Sequence, residues 1–126
     1  MGFFDAFKSS KEQDSSSFWR VLNNDISLDE IDVISEKTPV LLFKHSTRCS
    51  ISHMAKGELD RNWDFSEEEI IPYYLDLLQY RSISNNITER YGVIHASPQI
   101  LIIKNGKCIY NTSHSNISVD KIKKQI

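Results

Sequence analysis

The chain has 126 residues, 40% of them hydrophobic and 25% charged, with 15 basic against 17 acidic side chains and a net charge of -2. That is the size and balance of one globular domain with its own core, and it speaks against a general nucleic-acid footprint. No stretch approaches the roughly 18 consecutive apolar residues of a membrane span, and 2 cysteines are too few for a disulfide scaffold.

The chain opens with Met1-Gly2-Phe3-Phe4-Asp5-Ala6-Phe7, which lacks the charged n-region and long apolar stretch of a secretory signal. Ala6 stands where a myristoylation motif wants Ser or Thr. The expectation is a cytoplasmic protein whose cysteines are reduced. Phe3, Phe4 and Phe7 recur at helical spacing, so Met1–Lys8 reads as a short amphipathic helix. Ser9–Ser17 is almost entirely Ser, Lys, Glu, Gln and Asp and reads as a linker, because it has too little apolar surface to offset its ordering entropy. The domain is expected over 18–126.

Phe18–Leu22 reads as a short strand or lead-in segment. Ser27-Leu28-Asp29-Glu30 is a capping box, and Leu28, Ile31, Val33 and Ile34 supply the apolar face of a helix over Leu28–Glu36. Thr38-Pro39 ends it, since the residue before proline is pushed out of the α region. Val40–Lys44 is a continuous run of strand length, the pattern of a strand covered on both faces. His45–Arg48 reads as a loop. Ser50–Leu59 reads as a helix with Ile51, Met54, Ala55 and Leu59 at helical spacing, followed by a helix extension or loop over Arg61–Glu69. Ile71–Leu77 is a second central strand, and Ser82–Tyr91 a helix ended by Gly92. Gln99–Lys104 and Lys107–Asn111 flank Asn105-Gly106, which suits a type I′ hairpin turn. Ser118 caps a last helix running to Ile126.

The resulting order, β-α-β-α-β-α-β-β-α, implies parallel strands joined by right-handed crossovers and an antiparallel final hairpin. The expected class is α/β, thioredoxin-like, with a central four-stranded mixed sheet flanked by helices.

Cys49 follows the buried strand and opens a helix. Unpaired amides and the macrodipole at a helix start stabilise a thiolate there, and Arg48, Lys44 and His45 add positive charge nearby in sequence. The competing reading is a small packing residue. Pro98, just before the third strand, fits the place where a thioredoxin-like fold keeps a cis-proline beside its active thiol. Ser97 before it offers backbone to an extended substrate. The competing reading is a trans proline opening an edge strand.

Thr47-Arg48-Cys49-Ser50-Ile51-Ser52 resembles the T-x-C-P-I-S site of the YtxJ family, the monothiol bacilliredoxin-like proteins. His95-Ala96-Ser97-Pro98-Gln99 resembles that family's H-x-S-P-Q segment. Lys104–Lys107 and Ser113–Ile117 resemble its hairpin and the stretch after its last strand. The likeness runs from about Phe18 to the C-terminus. It implies a thioredoxin-like fold and a redox thiol that handles mixed disulfides with bacillithiol, with Cys49 as nucleophile and Pro98 as the cis-proline. Thr47, Arg48, Ser50, Ser52, Ser97 and Pro98 become the substrate-binding candidates. The family's proline after cysteine is Ser50 here, which restores an amide next to Cys49, and its aromatic after the late histidine is Ser115.

Residue 52 is serine, so Cys49 cannot close a Cys-x-x-Cys disulfide. The residues permit a monothiol route: Cys49 takes the small thiol from an S-bacillithiolated protein, and a second small thiol releases it. Bacillithiol would then be a co-substrate, with no bound cofactor. Ser52 is a candidate donor to the Cys49 sulfur. Cys108 reads as a packing or surface cysteine. His45, Cys49 and His53 are spaced by four but lack the fourth ligand of a structural zinc site, so no metal is expected. Two rival readings are a non-catalytic thioredoxin-like binding module and a metal or iron–sulfur carrier.

Overall fold

A computed structural model describes residues 17–126. The helix expected at Met1–Lys8 and all of the linker except Ser17 lie outside the described residues. The elements run β1 (Arg20–Val21), α1 (Leu28–Ser35), β2 (Val40–His45), α2 (Ser50–Asn62), β3 (Ile71–Asp76), α3 (Arg81–Tyr91), β4 (Gln99–Lys104), β5 (Lys107–Ser113), a single 3-10 turn at His114–Asn116, and α4 (Val119–Lys123). They form one mixed sheet of 5 strands in the order β1-β3-β2-β4-β5. The fifth strand is the 2-residue β1, which pairs in parallel with β3 at the edge beyond the four expected strands.

The sheet is built around β2, every residue of which is buried. It pairs in parallel with β3 from Val40↔Ile71 to His45↔Asp76, and antiparallel with β4 from Val40↔Ile103 to Lys44↔Gln99. Alternation then divides its side chains. Leu41 and Phe43 join Ile100, Ile102, Ala55, Leu59 and Ile122 on the face covered by α2 and α4. Val40 and Leu42 join Leu101, Leu75, Ile31 and Ile87 on the face covered by α1 and α3.

Local chemistry sets the boundaries. Ser27 accepts the Glu30 N–H, and the Glu30 carboxylate accepts the Ser27 N–H, so the box expected ahead of α1 is complete. Ser27→Ala removes the side-chain cap and should lower the free energy of unfolding by about 1 kcal/mol. Urea unfolding should show this as a lower midpoint at unchanged slope. Gly92 ends α3 in the left-handed region at φ 67, where a Cβ would be strained. Asn105 (φ 53) and Gly106 (φ 74) supply the two positive φ values of the β4–β5 turn.

Ile51 (48% exposed) and Met54 (72% exposed) face outward, and the buried residues are Ser52, Ala55 and Leu59. A stripe of apolar residues shows that a helix has a face, but here the inward face includes a serine because a partner for its hydroxyl waits inside.

Candidate active site

Strands β2 and β3 end together, and β4 begins beside the end of β2, so three connections meet at one pole of the sheet. These are Ser46–Cys49 leading into α2, Leu77–Tyr80 leading into α3, and Val93–Pro98 leading into β4. Lys44 pairs with Gln99, so the residues just beyond this rung at the pole are His45, which follows Lys44, and Pro98, which precedes Gln99. That register brings the cysteine loop and the proline loop together. The Ser97–Pro98 peptide bond is cis.

Cys49 is the N-cap of α2, with extended backbone at φ -117, ψ 122, and its side chain makes no capping bond. Its own N–H donates to the Ser46 carbonyl at 3.2 Å, and its carbonyl accepts the His53 N–H at 3.1 Å. The amides of Ser50, Ile51 and Ser52 have no acceptor among the described residues, as in an open helix start. A half-buried thiol therefore stands before unpaired N–H groups and the positive end of a 13-residue helix. Ser50 contributes one of those amides.

Ser52 lies beneath, fully buried. Its Oγ accepts the Ser46 N–H at 3.0 Å and lies 2.6 Å from His45 Nδ1. Burial, with the neighbouring His53 and Lys56, pushes the His45 imidazole down to about 4. His45 is thus a neutral ring whose Nδ1 accepts the Ser52 hydroxyl. Two expectations fall here. His45 is the last residue of β2, 1% exposed, and brings no charge to Cys49. Ser52 makes no hydrogen bond to the Cys49 sulfur, because its hydroxyl is engaged by His45 and Ser46. Its task is to hold the turn that carries the cysteine. His53 donates from Nε2 to the Thr47 carbonyl at 2.9 Å and fastens the same turn from outside.

Thr47 and Arg48 are exposed at the tip, and Arg48 has no carboxylate partner among the described residues. Arg48 is the cation of the sequence trio that remains beside the thiol. Lys44 is fully buried on the α3 face, where its Nζ donates to Thr88 Oγ1 at 3.2 Å and approaches His95 Nδ1 at 3.2 Å. Ser97 Oγ is buried without a hydrogen-bond partner among the described residues. Pro98 is buried, and its carbonyl accepts the His114 N–H at 3.0 Å, which ties the end of β5 to the proline loop.

A groove of about 460 Å³ runs between α2 and the His114–Asn116 turn, lined by Ile51, Met54, Glu58, Arg61, His114 and Ile117. Ile51 and Met54, two of the apolar residues at helical spacing in α2, line it rather than the core. A larger hollow of about 560 Å³ between α1 and α3 is lined by Asn23, Ser27, Asp29, Asn86 and Arg90 and contains neither cysteine. Cys108 is the second residue of β5, at the opposite pole, where β4 turns into β5. It is half-buried, donates to the Tyr110 carbonyl at 3.3 Å, and has its thiol pushed up by burial. The single-thiol arrangement read from residue 52 therefore gains no second cysteine from elsewhere in the fold. Among the described residues, no His, Cys, Asp or Glu groups are placed to share a metal ion, and no helix is long and apolar enough to cross a membrane.

The model of the family described as Monothiol bacilliredoxin BrxC matches residues 20–122. One solved structure, a proposed oxidoreductase with a thioredoxin fold, is 30% identical at a TM-score of 0.70, over 86% of this chain and 93% of that one. Mitochondrial thioredoxin 3 from Saccharomyces cerevisiae superposes at a TM-score of 0.64 with 16% identity, over 88% of this chain and 95% of its own. The thioredoxin of Fasciola hepatica does so at 0.64 with 15% identity, over 83% and 93%. The last two likenesses speak for the fold alone.

Proposed function

The chain belongs to the monothiol bacilliredoxin family, thiol redox proteins here of thioredoxin fold, and on that footing we propose that it removes bacillithiol from protein mixed disulfides through Cys49. The observation that carries the reading is a single thiol at the open start of α2, with serine where a second cysteine would stand and Cys108 at the far pole.

The exchange proceeds in two steps. The Cys49 thiolate attacks the bacillithiol sulfur of the mixed disulfide. A new Cys49–bacillithiol bond forms, the old S–S bond breaks, and the protein leaves as its thiolate. A second bacillithiol thiolate then attacks the bacillithiol sulfur on Cys49, giving bacillithiol disulfide and free Cys49. The unpaired amides of Ser50, Ile51 and Ser52 stabilise the negative sulfur at the start and at the end of the cycle. Thr47 and Arg48 contact the incoming disulfide from the exposed tip. The groove beside Ile51 and Met54 receives the protein half, and the backbone of Ser97 before Pro98 is available to pair with it. The protein acts in the cytoplasm, where such disulfides are kept transient.

Intact mass during brief exposure to bacillithiol disulfide and, separately, to glutathione disulfide tests this. A fast adduct of one bacillithiol, with slow or no glutathione addition, is expected. Absence of any adduct would remove the exchange reading and leave a thioredoxin-like binding module in its place.

A further inference from the structure

The exchange chemistry gives no task to Lys44. Its side chain is fully buried, and no carboxylate lies within ion-pair distance among the described residues. Buried charges are ordinarily paired. Instead its ammonium meets two neutral groups, Thr88 Oγ1 and His95 Nδ1, each at 3.2 Å. Burial draws Lys44 down to about 8, so it is still mainly charged near neutral pH.

An ammonium can only donate, which fixes the His95 ring. Nδ1 is the bare nitrogen and Nε2 carries the hydrogen. Burial and the charges of Lys44 and Arg81 hold His95 below its ordinary value, so this neutral tautomer is the one present. Its ring is exposed, while the Nδ1 side is engaged by the buried cation. The positive charge of Lys44 thus reaches solvent as a polarised N–H of fixed orientation.

The position of that donor matters. His95 sits in the connection before Pro98, braced by Gln99, whose Nε2 donates to the Ile94 carbonyl at 2.9 Å and whose Oε1 accepts the Ala96 N–H at 3.4 Å. Arg81 opens α3 at the same pole because β3 runs parallel to β2, and it has no carboxylate partner among the described residues. Cys49 is five residues beyond Lys44 in the chain, at that pole.

We infer that His95, backed by Lys44 and Thr88 and flanked by Arg81, binds a carboxylate of the small-thiol half of the disulfide. The inference rests on the exchange reading of Cys49 and deepens it. Bacillithiol carries malate carboxylates, and anchoring one of them decides which of two sulfurs faces Cys49. Attack at the small-thiol sulfur is what releases the protein; attack at the other would trap it. The site is a positioning device in which no bond is made or broken.

Two arms test it separately from the exchange reading. In the first, Cys49→Ser protein, which cannot exchange, is titrated with sodium L-malate while the His95 ring nitrogens are followed by NMR. A saturable shift at Nε2 is expected, lost in Cys49→Ser/Lys44→Met and weakened in Cys49→Ser/Arg81→Gln. Malate that leaves His95 unmoved overturns the inference. In the second, adduct rates at Cys49 are compared between bacillithiol disulfide and neutral hydroxyethyl disulfide. Lys44→Met and His95→Phe should each lower the ratio of the two rates by about tenfold, the worth of one charge-assisted hydrogen bond. His95→Gln, which keeps an N–H at that reach, should restore part of the ratio. A ratio unchanged by Lys44→Met and His95→Phe overturns the inference even if both rates fall. If the wild-type thiol reacts with neither disulfide, the exchange reading fails, and the malate titration still decides the anion site alone.

Discussion

Cys49→Ser should lower the rate of mixed-disulfide formation by on the order of a thousandfold or more, because a hydroxyl cannot replace a thiolate as nucleophile. Cys108→Ala should keep the wild-type rate within about twofold. The contrast follows from where the two sulfurs stand. Cys49 caps an open helix start with unpaired amides around it. Cys108 is bonded to the Tyr110 carbonyl, and burial disfavours its thiolate. Time-resolved intact mass of both variants separates these cases. Full activity in Cys49→Ser, or its loss in Cys108→Ala, would move the chemistry to the other end of the molecule.

A second large effect is expected from acid. His45 titrates near 6.5 when unfolded and near 4 in the folded chain, because burial disfavours its charged form. Between those values the unfolded chain binds the extra proton, so acid favours unfolding. The stabilisation from a neutral His45 is complete above pH 6.5 and is lost as pH falls towards 4. Each pKa unit is worth about 1.4 kcal/mol, so the full effect is up to about 3 kcal/mol. Lys56 and His53 push in the same direction, and Asp76 and Asp60 oppose it. His45→Asn keeps an acceptor for the Ser52 hydroxyl but does not titrate. It should be less stable at pH 7, having lost ring contacts with Phe43 and Tyr74, and its stability should fall less steeply between pH 6.5 and 4. Urea unfolding across that range reads the difference; parallel curves for the two proteins would show that His45 is not held neutral.

Much of this architecture was legible in the residues, for physical reasons. Val40–Lys44 has the length and continuous pattern of a strand covered on both faces, and Ser27 with Glu30, Gly92, and Asn105-Gly106 are backbone signals needing no tertiary partner. The 2-residue β1 was ambiguous because it is too short to show a period, and its pairing with β3 joins residues 53 apart. What could not be read were the polar groups with distant partners. Lys44 read as one of three positive charges near Cys49, yet Thr88 and His95, 44 and 51 residues on, receive it inside. Ser52 looked free to serve the cysteine, and only the fold reveals that His45 points at it. Helical spacing alone did not show which residues of α2 turn inward, and the inward place is taken by the satisfied Ser52 while Ile51 and Met54 face out. The nucleophile and its helix were local features, whereas the buried cation and the groove depend on the assembled sheet.

The direction of β1 gives the molecule a front and a back. Arg20 pairs with Tyr73 and Val21 with Tyr74 in parallel, so the chain enters from the pole opposite Cys49. Phe18 is stacked there on Trp63, the residue that ends α2, 4.7 Å between rings. Phe18 and the start of β1 therefore form the rear of the molecule, at the far end of the sheet from the thiol.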